Sequence, residues 1–193
     1  MSDEKLIALV NTLIRGETIH ERLEAQLELA YYGDVPTVLR LLLESFRAYL
    51  RELMTGRHKP REENPTPFLQ FHEGFAHIQY LLWIWREDEP IPDILLEMLN
   101  DPDRQMRALA IIGLGAGNVK WEDARIEPHL RSLQGDADPQ IRAAARLALE
   151  YMVLGRHAQT MTPLDALQQQ RLEQYAAQVM GMLTAEGGNY GNV

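Results

Sequence analysis

Three glycines after an apolar run could form a nucleotide-binding loop. The stretch "ALAIIGLGAGN" (108–118) places Gly113, Gly115 and Gly117 at alternate positions. A dinucleotide loop needs Gly-x-Gly-x-x-Gly between a strand and a helix, so that backbone amides can approach a pyrophosphate. Here Asn118 occupies the last position, and no strand–helix–strand alternation surrounds the run. The sequence therefore favours a helix ending at these glycines, with Gly115 or Gly117 as a left-handed C-cap, and predicts no cofactor.

Glu73 and His77 lie one helical turn apart and could supply two metal ligands. His72 lies about 100° around the helix from Glu73 and does not complete the site. No other histidine or acid has a spacing that converges on this pair, and the chain has no cysteine. No Ser/His/Asp set, activated lysine or carboxylate pair stands out either, so the sequence predicts no metal or catalytic site and leans against an enzyme.

Four arginines in two similar segments could bind an acidic peptide or a phosphate. We predict partner contacts at these arginines and at Trp121, which is placed at the start of a helix after the glycines: Arg104, Arg107, Trp121, Arg142 and Arg146. A second basic cluster, followed at once by two glutamates, is a candidate loop contact or an ordinary solvated loop: Arg57, His58, Lys59 and Arg61. The formal net charge of -9 repels phosphate backbones and argues against nucleic acid as the partner.

An internal repeat positions these arginines. Residues 100–115 align with 135–150 at a shift of 35, and this places Asp101 on Asp136 and Arg107 on Arg142. Each unit is typical of a helix, an aspartate-rich turn and a second helix, because Asp-Pro suits an N-cap followed by the first helical residue. A weaker copy covers 33–44, where Asp34 precedes Arg40 by the same six residues.

The repeat predicts an all-α chain: one domain over 1–193, built as an α-solenoid of about four helical hairpins with a capping helix at each end. The clear units cover 90–115 and 125–152, and degenerate units cover 17–55 and 56–86. The second helix of the last of these carries an apolar stripe, predicted to be core: Phe71, Phe75, Ile78, Leu82 and Trp85. The caps are expected at 3–14 and 162–184, with a flexible tail over 185–193.

The pattern Asp-x-Asp-x-x-apolar-Arg-x-x-Ala resembles the HEAT family of α-solenoids, nearest to the short repeats of the phycobilisome lyase type. The resemblance implies a ladder of ion pairs between successive repeats, formed by Asp101, Asp136, Arg107 and Arg142, with Asp34 and Arg40 extending it. Members of the family mostly bind proteins. Some attach or detach linear tetrapyrroles, and another HEAT-like branch excises alkylated bases from DNA.

These observations favour a non-catalytic adaptor or assembly factor that binds a protein along the concave surface formed by the second helices. The alternatives are a bilin-lyase-type enzyme or chaperone and a nucleic-acid-binding HEAT-like protein. Asp3 and Glu4 stand where a secretory signal would carry positive charge, and no window reaches the ~18 apolar residues of a membrane span. A cytoplasmic location with no membrane contact is therefore expected.

Overall fold

The computed structural model describes residues 3–57, 67–85, 91–160 and 163–184. Within these ranges the chain forms nine α-helices and no strand, which confirms the all-α prediction. The helices are α1 (Asp3–Arg15), α2 (Ile19–Ala30), α3 (Val35–Met54), α4 (Pro67–Ile84), α5 (Ile91–Met98), α6 (Arg104–Trp121), α7 (Ile126–Leu133), α8 (Pro139–Thr160) and α9 (Ala166–Thr184). Most of the basic loop, which the sequence predicts over 55–65, and the whole 185–193 tail lie outside the described residues.

Short polar side chains cap the first turns of several helices. The Thr18 hydroxyl accepts from the Glu21 amide while the Glu21 carboxylate accepts from the Thr18 amide, a capping box at the start of α2. Asp34 caps α3 through the Thr37 amide. Asp165 likewise accepts from the Gln168 amide, so that α9 begins at Ala166.

The centre of the molecule is α6, which is covered on nearly all sides. Of residues 105–118, only Arg107 is not buried. Helices α3, α4, α5, α7 and α8 all contact α6, and α9 packs against α8, α3 and α4. The sequence predicted that second helices would present an open concave face. For α6 this is wrong, because α3 and α4 pack onto it as well as its neighbours α5, α7 and α8.

The glycines lie inside α6, so the prediction that they end a helix is wrong. Helix α6 continues to Trp121, and its C-cap is Glu122, whose left-handed φ of 53° is compatible with its N–H donating to the Asn118 carbonyl. A Cβ on Gly115 would lie 2.2 Å from the carbonyl oxygen of Ala148 in α8. Glycine is needed here for close approach of two helix backbones and not for a turn.

Trp121 therefore ends a helix and does not begin one. Its ring lies over the Cα of Gly117, where a Cβ would meet the indole at 2.1 Å. The side chain is half-buried and packs against the core. The predicted position of Trp121 was wrong because the helix was predicted to end at the glycines.

The aromatic stripe of α4 is core, as predicted: Phe71, Phe75, Ile78, Leu82 and Trp85 are all buried. The Phe75 ring stacks on Tyr151 of α8 at 5.4 Å between centroids, and Phe46 of α3 lies 5.6 Å from Phe71. Burial raises the pKa of the Tyr151 hydroxyl, so that it stays protonated. None of the described helices is long and apolar enough to cross a bilayer.

Candidate protein-binding surfaces

Helices α2 and α4 present an apolar face to water. Ile19, Leu23 and Leu27 follow one another at four-residue spacing along α2 and are 57%, 42% and 52% exposed. Tyr80 and Ile84 are exposed at the same spacing on α4. Between the two helices lies a cleft of about 450 Å³, which we call the α2–α4 groove, lined by Ile19, Leu23, Gln26, Leu27, Glu73, Ala76, His77 and Tyr80.

Polar pairs lie beneath this apolar face and join the two helices. The Arg22 guanidinium is 1% exposed and donates to the Glu73 carboxylate at 2.5 Å. One turn further along, Nδ1 of His77 lies 2.6 Å from Oε1 of Gln26. A surface helix normally turns its apolar stripe inward and its charges outward. Helix α2 buries Ala25 and Leu29 in this way but exposes a second apolar stripe, and a contiguous exposed apolar patch of this kind is typical of a protein interface.

The same pairs explain what Glu73 and His77 do. Each contacts a residue of α2, so the two side chains that could have shared a metal instead hold two helices together. The side chain of His72 lies outside the described residues. In the part of the chain that the structure describes, no group of three or more His, Asp or Glu side chains could hold a metal ion.

A cleft of about 600 Å³ lies beside the connection from α6 to α7 and is also lined by side chains of α7 and α8. Arg131 donates to Glu127 at 2.6 Å, and this hydrogen bond lowers the pKa of the Glu127 carboxyl. Arg125 does the same to Asp123 at 2.6 Å. Both carboxylates are ionised and paired at neutral pH, so they fix the α6–α7 connection and are poorly suited to donate a proton.

Two aspartate turns repeat each other atom by atom. In the first aspartate turn (residues 101–105), the Asp101 carboxylate accepts from the Asp103 amide at 2.8 Å, and Asp103 accepts from the Gln105 amide at 2.8 Å. The second aspartate turn (residues 136–140) repeats both contacts at 2.7 and 2.8 Å, through Asp136, Asp138 and Gln140. Each turn satisfies the first amides of a second helix, α6 or α8.

The repeated arginines bind backbone carbonyls of their own turns. Arg107 donates to the Asp101 carbonyl and Arg142 to the Asp136 carbonyl, each at 2.7 Å. The predicted ion pairs of these two arginines with the aspartates of successive repeats are therefore wrong. The carbonyls at the end of the preceding helix lack intrahelical partners and attract a cation from within the same unit.

A third copy of this contact involves Arg22, and not Arg40 as the Asp34 spacing suggested. Arg22 donates to the Gly16 carbonyl at 2.8 Å, again six residues back along the chain. The sequence did not predict this contact, because the repeat pattern requires an aspartate at the turn. Arg40 instead reaches the first aspartate turn, where it donates to the Asp101 carboxylate at 3.0 Å. This is one rung of the predicted ladder.

Residues 92–180 match the family model for HEAT repeats. The match begins in α5, spans both aspartate turns and ends within α9. It names HEAT repeats in general, and HEAT repeats commonly mediate protein interaction. No curated protein and no solved structure matched the chain.

In the HEAT-repeat segment the predicted arginine strip is split by these contacts. Arg107 and Arg142 are engaged by carbonyls, whereas half-buried Arg104 and Arg146 have no hydrogen bond or ion pair to any described residue. Arg57 is exposed just after α3. His58, Lys59 and Arg61 lie outside the described residues, so the proposed loop contact is represented by Arg57 alone.

Proposed function

We propose that this chain is a protein-binding module that takes an amphipathic helix of its partner into the α2–α4 groove. The main support for this proposal is the apolar face of α2, which is exposed to water and lies over the polar pairs that join α2 to α4. Helix-in-groove recognition uses apolar anchors at three- and four-residue spacing on the incoming helix. The ridge of Ile19, Leu23 and Leu27 on one side, and of Tyr80 and Ile84 on the other, gives such anchors a channel to occupy.

Burial of this face is the driving force in the proposal. Covering an exposed leucine or isoleucine completely contributes about 1.5–3 kcal/mol. Three such residues on α2 provide enough favourable free energy to offset much of the entropy lost on association. The buried polar pairs Arg22–Glu73 and Gln26–His77 hold the two walls in place before the partner arrives.

The charge of the chain favours a basic partner. Glu73 is the one charged residue among those that line the groove, whereas Glu17, Glu24 and Glu28 are exposed elsewhere on α2 or just before it. The formal net charge of -9 has the same sign. Lysines or arginines beside the partner's apolar stripe would speed association and fix its direction.

The residues predicted from the sequence remain secondary contacts in this proposal. Arg104 and Arg146 are the members of the strip best able to reach a partner, and Arg57 represents the loop cluster. Trp121, Arg107 and Arg142 already have packing or hydrogen-bonding roles. No described contact favours the lyase-type or nucleic-acid alternatives over protein binding.

The double variant Leu23→Gln/Leu27→Gln is expected to weaken binding of a basic amphipathic helix about a hundredfold. The reason is that burying each leucine side chain against the bound helix should raise the affinity about tenfold, and glutamine loses this contribution. The probe is a synthetic leucine–lysine helix of about 20 residues, labelled for fluorescence anisotropy. Both leucines are exposed, so the variant should fold with unchanged thermal stability.

Leu167→Gln is the matched control, since Leu167 is 60% exposed on α9, away from the groove. It should bind the probe like the wild type. An acidic version of the probe helix should bind at least about tenfold more weakly than the basic one. Equal binding of the basic helix to the double variant and to the control would overturn the proposal.

A further inference from the structure

The second aspartate turn presents the same acceptors as the first, but no helix among the described residues provides arginines that bind them. In the first turn, three arginines of α3 donate to three side chains: Arg40 to Asp101, Arg47 to Asp103 and Arg51 to Gln105. In the second turn, the equivalent acceptors are Asp136, Asp138 and Gln140. None of their side chains accepts from an arginine of the described residues.

The aspartates differ in burial between the two turns, as the missing contacts require. Asp101 is 8% exposed beneath Arg40, whereas Asp136 is half-buried. Gln140 is 3% exposed, and an incoming arginine could bond only to its side-chain oxygen, because the side-chain nitrogen is itself a donor. The two half-buried aspartates are therefore the acceptors that a ligand reaches first.

The spacing of the α3 arginines defines what such a ligand looks like. Arg40, Arg47 and Arg51 are seven and four residues apart, which places all three on one face of a helix. We infer that the second aspartate turn binds an arginine-bearing helix of a partner protein, with the arginines spaced as in α3. This site is separate from the α2–α4 groove and does not rest on it.

The arginines of the described residues do not occupy this site. Arg107 stands six residues after Asp101, as Arg40 stands after Asp34, but it donates to the Asp101 and Pro102 carbonyls and makes no ion pair with Asp136. Arg142 is likewise bound to the carbonyls of Asp136 and Ala137. The outward carboxylate oxygens of Asp136 and Asp138 thus remain available to another molecule.

Arginine suits these acceptors better than a metal ion does. One oxygen of each carboxylate already accepts a hydrogen bond from a backbone amide. The other oxygen of each carboxylate is left to accept a hydrogen bond from a separate donor. A guanidinium carries five N–H donors in a planar fork and can bond to an aspartate and a neighbouring amide together. The first turn demonstrates this mode with Arg47 and Arg51.

The test uses a soluble alanine–glutamine helix of about 20 residues carrying three arginines spaced as in α3. Added to the ¹⁵N-labelled full chain at low salt, it should shift amide resonances at residues 136–140. Asp136→Asn/Asp138→Asn should weaken its binding about tenfold or more, because two charge-assisted hydrogen bonds become neutral. The asparagine oxygens keep the capping contacts, so the variant should fold.

Asp101→Asn/Asp103→Asn is the matched control, because these aspartates lie in the turn that α3 already occupies; it should bind the probe like the wild type. A second helix with the arginines distributed around its circumference should bind about tenfold more weakly. The inference would be overturned if the protein bound both helices with equal affinity, or if the Asp136→Asn/Asp138→Asn variant bound the first helix as tightly as the wild type. Shifts confined to residues outside 136–140 would also overturn it. Shifts at residues 136–140 with Ca²⁺ but not with the helix would mark a cation site and overturn it as well.

Discussion

Gly115→Ala is expected to lower the free energy of unfolding by about 3 kcal/mol. The added Cβ would lie 2.2 Å from the Ala148 carbonyl oxygen and 2.6 Å from its Cα, so backbone atoms of α8 would have to move. Overpacking a rigid contact costs about 1–3 kcal/mol, and here the obstacle is the backbone itself. Because α6 and α8 form the central packing of the protein, the shift would spread through the core. Urea unfolding followed by circular dichroism measures the loss.

Gly181→Ala is the matched control in α9. Nothing lies within 4 Å of the position of its Cβ, and alanine is the better helix former by about 0.8–1 kcal/mol. This variant should therefore be as stable as the wild type or more stable. If Gly115→Ala behaved like Gly181→Ala, the close approach of α6 and α8 would be contradicted.

Glu73→Gln is expected to destabilise the protein by about 3 kcal/mol, although it changes one atom. Replacing the carboxylate by an amide takes away the negative charge that lies 2.5 Å from the Arg22 guanidinium, which is 1% exposed. Breaking one partner of a buried ion pair costs about 3–5 kcal/mol, and the amide oxygen recovers part of this. The loss should depend less on salt than that of a surface pair, because the Arg22 side chain is 1% exposed, although that of Glu73 is 17% exposed at the groove. Thermal and urea unfolding at two ionic strengths test both points.

Asp93→Asn is the control for a solvated pair. Asp93 and Arg125 lie 2.9 Å apart with both side chains 61% exposed. Such pairs contribute about 0–1 kcal/mol, so this variant should unfold almost like the wild type. A Glu73→Gln protein as stable as Asp93→Asn would mean that the inner face between α2 and α4 is hydrated, and that the groove has no fixed walls.

The sequence predicts the all-α fold and the two aspartate turns because both depend on neighbouring residues. Helical periodicity needs about two turns of chain, and an N-cap needs four residues. The 35-residue shift and the Asp-Pro at 138–139, where α8 begins at Pro139, supplied this local information. The Asp-Pro at 101–102 was wrong as a helix start, because the N-cap of α6 is Asp103. The HEAT-repeat match covers the same units.

The ending of α6 could not be predicted in this way. A glycine at a C-cap and a glycine under a neighbouring backbone have the same local sequence. What separates them is Ala148, more than thirty residues further along the chain. Glu122 adopts the left-handed conformation without a glycine, so the usual signal of a helix end was missing.

The α2–α4 groove was missed for a related reason. Helix α2 has two candidate inner faces, one with Ile19, Leu23 and Leu27 and the other with Arg22 and Gln26. Hydrophobicity alone selects the first, whereas the structure buries the second against Glu73 and His77. Those partners lie 51 residues away, and only the tertiary packing brings them together. The signal in the sequence is a charged residue within a helix face that also carries Ala25 and Leu29.

Methyl NMR of the full-length chain tests the central claim most directly. With the isoleucine and leucine methyl groups ¹³C-labelled, the basic amphipathic helix is titrated to saturation. The account predicts shifts at Ile19, Leu23, Leu27 and Ile84, and none at Leu167. Saturable shifts that spare the α2–α4 groove would contradict the account. So would the absence of any shift up to about millimolar helix, because weaker binding in the groove would not matter.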